Sequence, residues 1–219
     1  MSMPIASAPP PGPDPVAAAL LTSFPRGRLS EIVGPRSSGG TSLLMALLAR
    51  TTAAGALAAV IDAADALDPA SAREAGVDLR LLLWVRCGGR LPLALRAADL
   101  IARCPGFGVV AVDLGAERIG RVPHTALVRL QRAVETGGGI LVVRALQHVA
   151  GSAAGLVVSS AAVRVSWAGG GRPTHLDGLI CQAQVAHARG VAPREGARWI
   201  LAFSAPGSQP DRPAEWTGA

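Results

Sequence analysis

Apolar residues in this chain fall into short unbroken runs, separated by stretches in which they recur every third or fourth position. The runs Leu29 to Val33, Leu57 to Asp62, Leu81 to Val85, Val109 to Asp113 and Ile140 to Val143 read as strands buried on both faces. Between them, Thr41 to Thr52 places Leu43, Leu44, Leu47 and Leu48 on one helical face, and Pro69 to Ala75, Leu91 to Cys104 and Thr125 to Glu135 are likewise helical. Such alternation predicts an α/β fold, a mostly parallel sheet with helices on both faces. After residue 155 the helical spacing stops. Leu156 to Val165, Leu179 to His187 and Trp199 to Phe203 follow one another through glycine-containing turns, which predicts a C-terminal antiparallel strand extension of the same sheet. Ahead of the first strand, Val16 to Phe24 reads as a short apolar helix stopped by Pro25 and Gly27.

The ends lack this patterning. Pro4, Pro9, Pro10, Pro11, Pro13 and Pro15 rule out a helix or a central strand, so residues 1–15 are expected to form an extended tail. Residues 205–219 are polar and proline-rich, a second expected tail that carries Trp216. The core domain therefore runs over residues 16–204.

Composition adjusts the picture. With 219 residues, half of them apolar and 16% charged, the chain suits one domain with a substantial core. A net charge of +6 favours acidic partners, either nucleic acid or an acidic protein surface. All 21 basic residues are arginines, a bias attributed to the source genome. Cys87, Cys104 and Cys181 lack C-x-x-C spacing and read as reduced thiols, and His124, His148, His175 and His187 show no metal-ligand spacing, so no metal is expected. No apolar run reaches the ~18 residues that span a bilayer, and prolines stand where a signal peptide has its apolar core. The expected setting is the cytoplasm, with no membrane partner.

Chemistry gathers at residues 34 to 42, Gly-Pro-Arg-Ser-Ser-Gly-Gly-Thr-Ser. The spacing of Gly34, Gly39 and Thr41 is that of the phosphate-binding loop G-x-x-x-x-G-K-[ST], and the strand before it and the helix after it are the context that loop needs. The lysine position holds Gly40. Gly34, Ser37, Ser38, Gly39, Gly40, Thr41, Ser42 and Asp113 are thus read as a vestigial nucleotide site. Thr41 and Asp113 leave room for weak ATP and Mg²⁺ binding, but no cofactor is expected. Arg36 lies at a loop position that points away from the phosphate seat, so that seat is expected to stay without a cation.

Gly27 to Thr41 resembles the first nucleotide-binding strand and loop of the RecA recombinase family. Ile61-Asp62-Ala63-Ala64-Asp65-Ala66-Leu67-Asp68-Pro69, with Ala72-Arg73 and Gly76-Val77-Asp78 after it, is also similar to that family, and the strand ending at Asp113 matches its second motif. The resemblance implies a RecA-like P-loop NTPase core over roughly residues 25 to 203. It also implies lost chemistry: Gly40 replaces the lysine, Ala64 stands where the family has the glutamate that polarises the attacking water, and Ser71 replaces a tyrosine that stacks on adenine. No catalytic residue is expected. The short connections after Asp113 and Ile140 leave little room for the mobile loops that grip DNA in these recombinases, and no filament of that kind is expected.

Size and degenerate motifs are most similar to the ImuA group of translesion-synthesis accessory proteins, itself distantly similar to the SulA division inhibitors. That likeness implies a non-catalytic adaptor in DNA-damage tolerance. Its implied partners are an ImuB-like inactive Y-family polymerase, RecA, an error-prone replicative-type polymerase and weakly bound DNA. Rival readings are a DNA-dependent ATPase with an atypical loop and a SulA-like inhibitor. For partner contacts the sequence offers Arg129 and Arg132, three apart on a helix face, the group Arg189, Arg194 and Arg198 around a turn, and Trp216. His175 and Asp177 read as strand-edge polar residues.

Overall fold

Burial on both faces decides how the apolar runs pair. The computed structural model describes residues 20–115, 121–168, 175–189 and 195–204. Both expected tails, Arg194 and Trp216 lie outside them. Eight strands form one sheet: β1 (Leu29–Val33), β2 (Leu57–Asp62), β3 (Leu82–Arg86), β4 (Phe107–Asp113), β5 (Ile140–Ala145), β6 (Leu156–Ala168), β7 (His175–Ala188) and β8 (Arg198–Ser204). Their order across the sheet is β3-β2-β4-β5-β1-β6-β7-β8. The helices are α1 (Gly40–Ala53), α2 (Pro69–Glu74), α3 (Leu91–Arg103) and α4 (His124–Gly137), with 3-10 turns at Leu79–Leu81 and Gly151–Ala153. Of the expected helix at Val16 to Phe24, the described residues Leu20, Leu21 and Thr22 are helical.

Alternate residues of each central strand enter different cores. Leu29, Ala59, Ile61, Val110, Val112, Leu141, Val143 and Val157 pack beneath α3 and α4. Ile32, Ala58, Val60, Val109, Ala111, Val142 and Val158 pack beneath α1, together with Leu20, Leu21 and Phe24. Each fully buried Leu, Ile or Val stabilises by roughly 1.5–3 kcal/mol, so two such layers over one sheet explain why β2, β4 and β5 are almost wholly apolar.

The expected antiparallel extension is present in the β6–β7 and β7–β8 pairs, and β6 joins it to the parallel part by running parallel to β1, with Ser30 opposite Leu156. A strand reached through the short 3-10 turn at Gly151–Ala153 can still return parallel, because residues 146–155 carry the chain back to the N-terminal end of β1. Strand β3 starts at Leu82 rather than Leu81, because the Asp78 carboxylate accepts the Arg80 N–H and holds Leu79–Leu81 in a turn.

Candidate functional site

Parallel strands end together, and the loops after β1, β4 and β5 therefore meet at one edge of the sheet. Gly34 through Gly39 form the connection from β1 to α1, and Gly39, with φ of 86°, is the residue before the helix. Only glycine adopts that conformation without steric cost. Gly34 is required for a different reason. A Cβ there would lie 2.4 Å from Ser160 Oγ and 2.6 Å from Ser38 Oγ, because β6 passes directly behind the loop. The buried Ser38 and Ser160 hydroxyls are hydrogen-bonded at 2.8 Å, and Ser160 also donates to the Val33 carbonyl at 3.3 Å. The crest of the loop is thus tied to the sheet by side chains.

Under the loop, register sets the chemistry. Asp113 is the partner of Arg144 across β4 and β5, and Arg144 is the partner of Ile32 across β5 and β1. Ile32, Val142 and Ala111 all belong to the core on the α1 side, and alternation puts Asp113 and Arg144 on that face too. The Arg144 guanidinium donates to the Asp113 carboxylate at 2.8 Å, with only 12% and 11% of the two side chains exposed. The same carboxylate oxygen accepts the Gly115 N–H at 2.8 Å. A Cβ on Gly40 would stand 3.8 Å from Arg144 Nε.

Loop and guanidinium share one hollow. Its lining is Pro35, Ser37, Ser38, Gly39, Gly40, Thr41, Ser42, Arg144 and Leu179, and its volume is about 110 Å³. That is smaller than the ~300 to 1,000 Å³ usual for small-molecule sites. The expected loop residues are therefore brought together, and Asp113 joins them through Arg144. The expectation that the seat has no cation is corrected: Arg144, one residue past the expected strand limit at Val143, reaches in from β5. An arginine ending an apolar strand beside a strand ending in aspartate was the available signal. As arranged, these residues do not fit a magnesium nucleotide, since Asp113 is engaged by an internal cation and Gly40 carries no charge.

The stretch from Asp62 to Ser71 is held by its own hydrogen bonds. Buried Asp62, at the end of β2, accepts the N–H groups of Ala66 and Leu67 and the indole N–H of Trp84. Ala64 supplies no carboxylate. Asp68 caps α2 by accepting from Ala70 and Ser71, and the Ser71 hydroxyl and backbone bonds hold its carboxyl below the usual range. Ser71 is therefore part of a helix cap. Glu31 was missed by the sequence reading. It is fully buried on β1, accepts the N–H groups of Val149 and Ala150 at 2.9 Å each, and contacts His148 Nδ1.

The arginines expected to meet partners are dispersed. Arg129 and Arg132 are exposed on α4, and Arg129 lies 3.6 Å from Asp99 of α3. Arg189 donates to the Ser152 carbonyl at 3.1 Å. Arg198 begins β8 opposite Gln184 and is exposed. His175 pairs with Ala168 at the end of the β6–β7 ladder. Among the described residues no helix is long and apolar enough to cross a membrane, and no group of three or more His, Cys, Asp or Glu side chains could hold a metal ion.

Comparison with known proteins agrees with this architecture. RadB recombinase has a similar fold, with a TM-score of 0.60 over 84% of this chain and 91% of that one, at 14% identity. Among curated relatives, RecA of Corynebacterium jeikeium (strain K411) is 42% identical over 97 residues, 44% of this chain and 26% of that protein. RecA of Leifsonia xyli subsp. xyli (strain CTCB07) is 42% identical over 98 residues, 45% and 27% of the two chains, and RecA of Nocardia farcinica (strain IFM 10152) is 42% identical over 98 residues, 45% and 28%. The chain thus spans about a quarter of the length of these relatives. The family model of the RecA N-terminal domain matches residues 14–134, more than half of the sequence, and the chain belongs to the RecA N-terminal domain family.

Proposed function

We propose that this protein is a RecA-like adaptor of DNA-damage tolerance that works through binding surfaces and does not hydrolyse ATP. The observation that carries the reading is the Arg144–Asp113 ion pair under a loop whose lysine position is Gly40. A hydrolytic site of this class needs a cation on the outer phosphates, a carboxylate free for Mg²⁺ and a base for water. Here the first is absent from the loop, the second is paired, and Ala64 cannot be the third. Membership of the RecA family supports the relation to DNA repair. The likeness to the ImuA group supports a cytoplasmic role in translesion synthesis, with an ImuB-like inactive polymerase as principal partner and with RecA, DNA and an error-prone polymerase as further contacts. The exposed Arg132 and Arg198 are the candidate contact points for acidic surfaces.

Two measurements test this. Phosphate release from ATP and Mg²⁺, with and without single-stranded DNA, is expected to stay at background; turnover that Thr41→Ala abolishes overturns the adaptor reading in favour of an ATPase. Affinity capture from DNA-damaged cells is expected to recover an inactive polymerase relative. Recovery of a cell-division protein without any repair factor would instead support the SulA-like alternative.

A further inference from the structure

We infer that Arg144 is an internal occupant of the phosphate seat, and that Gly40 and Arg144 are two halves of one substitution. This rests on the adaptor reading and deepens it, since it states how the site is kept closed. Register puts Arg144 between Asp113 and Ile32, directly below the loop, and its guanidinium is bonded to the carboxylate that a metal would need. Residue 40 meets that guanidinium from above. A Cβ there makes only ordinary contacts, at 3.4 Å with Ser160 Oγ, 3.6 Å with Ile32 Cγ2 and 3.8 Å with Arg144 Nε. Alanine would fit. A lysine would carry its ammonium past the guanidinium, bringing two like charges together in a site where both strand residues are almost wholly screened from water. Glycine at 40 is therefore the residue that lets Arg144 stay.

The loop gains from the exchange. Phosphate-binding loops present unpaired backbone N–H groups that favour negative charge. In this chain the loop is held from behind by the Ser38–Ser160 hydroxyl bond and by the fit of Gly34 against β6. Arg144 neutralises Asp113 and lines the hollow. The nucleotide-binding edge is in this way converted into a self-satisfied surface whose shape does not depend on nucleotide.

The test is a set of variants read by binding of a fluorescent N-methylanthraniloyl-ATP with Mg²⁺ and by thermal melting. Wild type, Gly40→Lys and Arg144→Gln are each expected to show no saturable binding up to millimolar nucleotide, and Gly40→Lys is expected to melt below wild type. The double variant Gly40→Lys/Arg144→Gln is expected to bind at least about tenfold more tightly than Gly40→Lys alone, as restored charge-assisted bonds to phosphate allow. Equal binding by Gly40→Lys and the double variant overturns the inference, as does a folded double variant that binds nothing. Binding by wild type that Arg144→Gln abolishes also overturns it, by making Arg144 a ligand-holding cation; without turnover, that result leaves the adaptor reading standing. Should the double variant fail to fold, Arg144→Gln and Asp113→Asn are combined instead. Melting losses that do not add support the internal pair, and additive losses sink it.

Discussion

Glu31 shows what a single buried side chain does in this fold. It interrupts the apolar β1, yet its carboxylate receives two backbone N–H groups from residues 149 and 150 and so anchors the turn that delivers β6 alongside β1. Both N–H groups converge on the same oxygen, Oε1, which a glutamine would keep and an alanine would remove. Glu31→Ala is expected to lower stability by about 2–4 kcal/mol, seen as a lower urea midpoint at unchanged m-value, with the amides of Val149 and Ala150 exchanging earliest. The three cysteines also separate at this scale. Burial pushes the Cys181 thiol up to about 11 and raises that of Cys87, whereas Cys104 is exposed. A raised thiol pKa means less thiolate at any pH below it. At pH 8 a disulfide-exchange reagent is expected to titrate one thiol rapidly in the native protein and three after unfolding, and Cys104→Ser is expected to remove the rapid phase.

Among elements, the close approaches are made by glycines and by carboxylates that hold loops. Gly137 ends α4 against α3 so closely that a Cβ would lie 2.1 Å from the Ala102 carbonyl oxygen. That contact is with backbone and has no easy relief, so Gly137→Ala is expected to cost about 2 kcal/mol or more, measured by chemical denaturation. The triplet Gly137-Gly138-Gly139 reads in the sequence only as a loop; that one of its members is a packing surface depends on where α3 ends. Asp62 is the counterpart on the other side of the sheet. Asp62→Ala would strand three N–H donors and is expected to destabilise by about 3 kcal/mol, while Trp84 fluorescence shifts as its indole loses its partner. The motif around Asp62 looks like catalytic machinery in the sequence. In the fold Asp62 braces the turn after β2 and Asp68 caps α2.

On the scale of the whole molecule, the sheet offers different materials at its two ends. The central parallel strands β4, β5 and β1 are covered on both faces, whereas the β6–β7–β8 end carries the exposed Val163, Trp167 and Ile200 together with the exposed Arg164 and Arg198. Neither arginine makes an ion pair among the described residues. Charge reversal at such positions leaves stability within about 0.5 kcal/mol, so Arg198→Glu is expected to leave the melting curve unchanged while weakening and desalting partner capture, measured as retention against a salt gradient. Arg129, by contrast, is already engaged near Asp99, and its replacement is expected to touch the α3–α4 surface first.

Periodicity alone determined which residues form strands and which form helices, because burial on two faces demands unbroken apolar runs and burial on one demands helical spacing. It also placed the phosphate-type loop between β1 and α1, since glycine spacing is a backbone requirement that reads directly as text. What it left open was every property created by register. Asp113 and Arg144 are 31 positions apart, Gly34 and Ser160 meet only because β6 returns parallel beside β1, and Glu31 is a bracing group only because residues 149 and 150 fold over it. Pattern is local and survives in one dimension; the pairing of charges and the closeness of backbones arise when distant strands come into register, and there the tertiary structure decided.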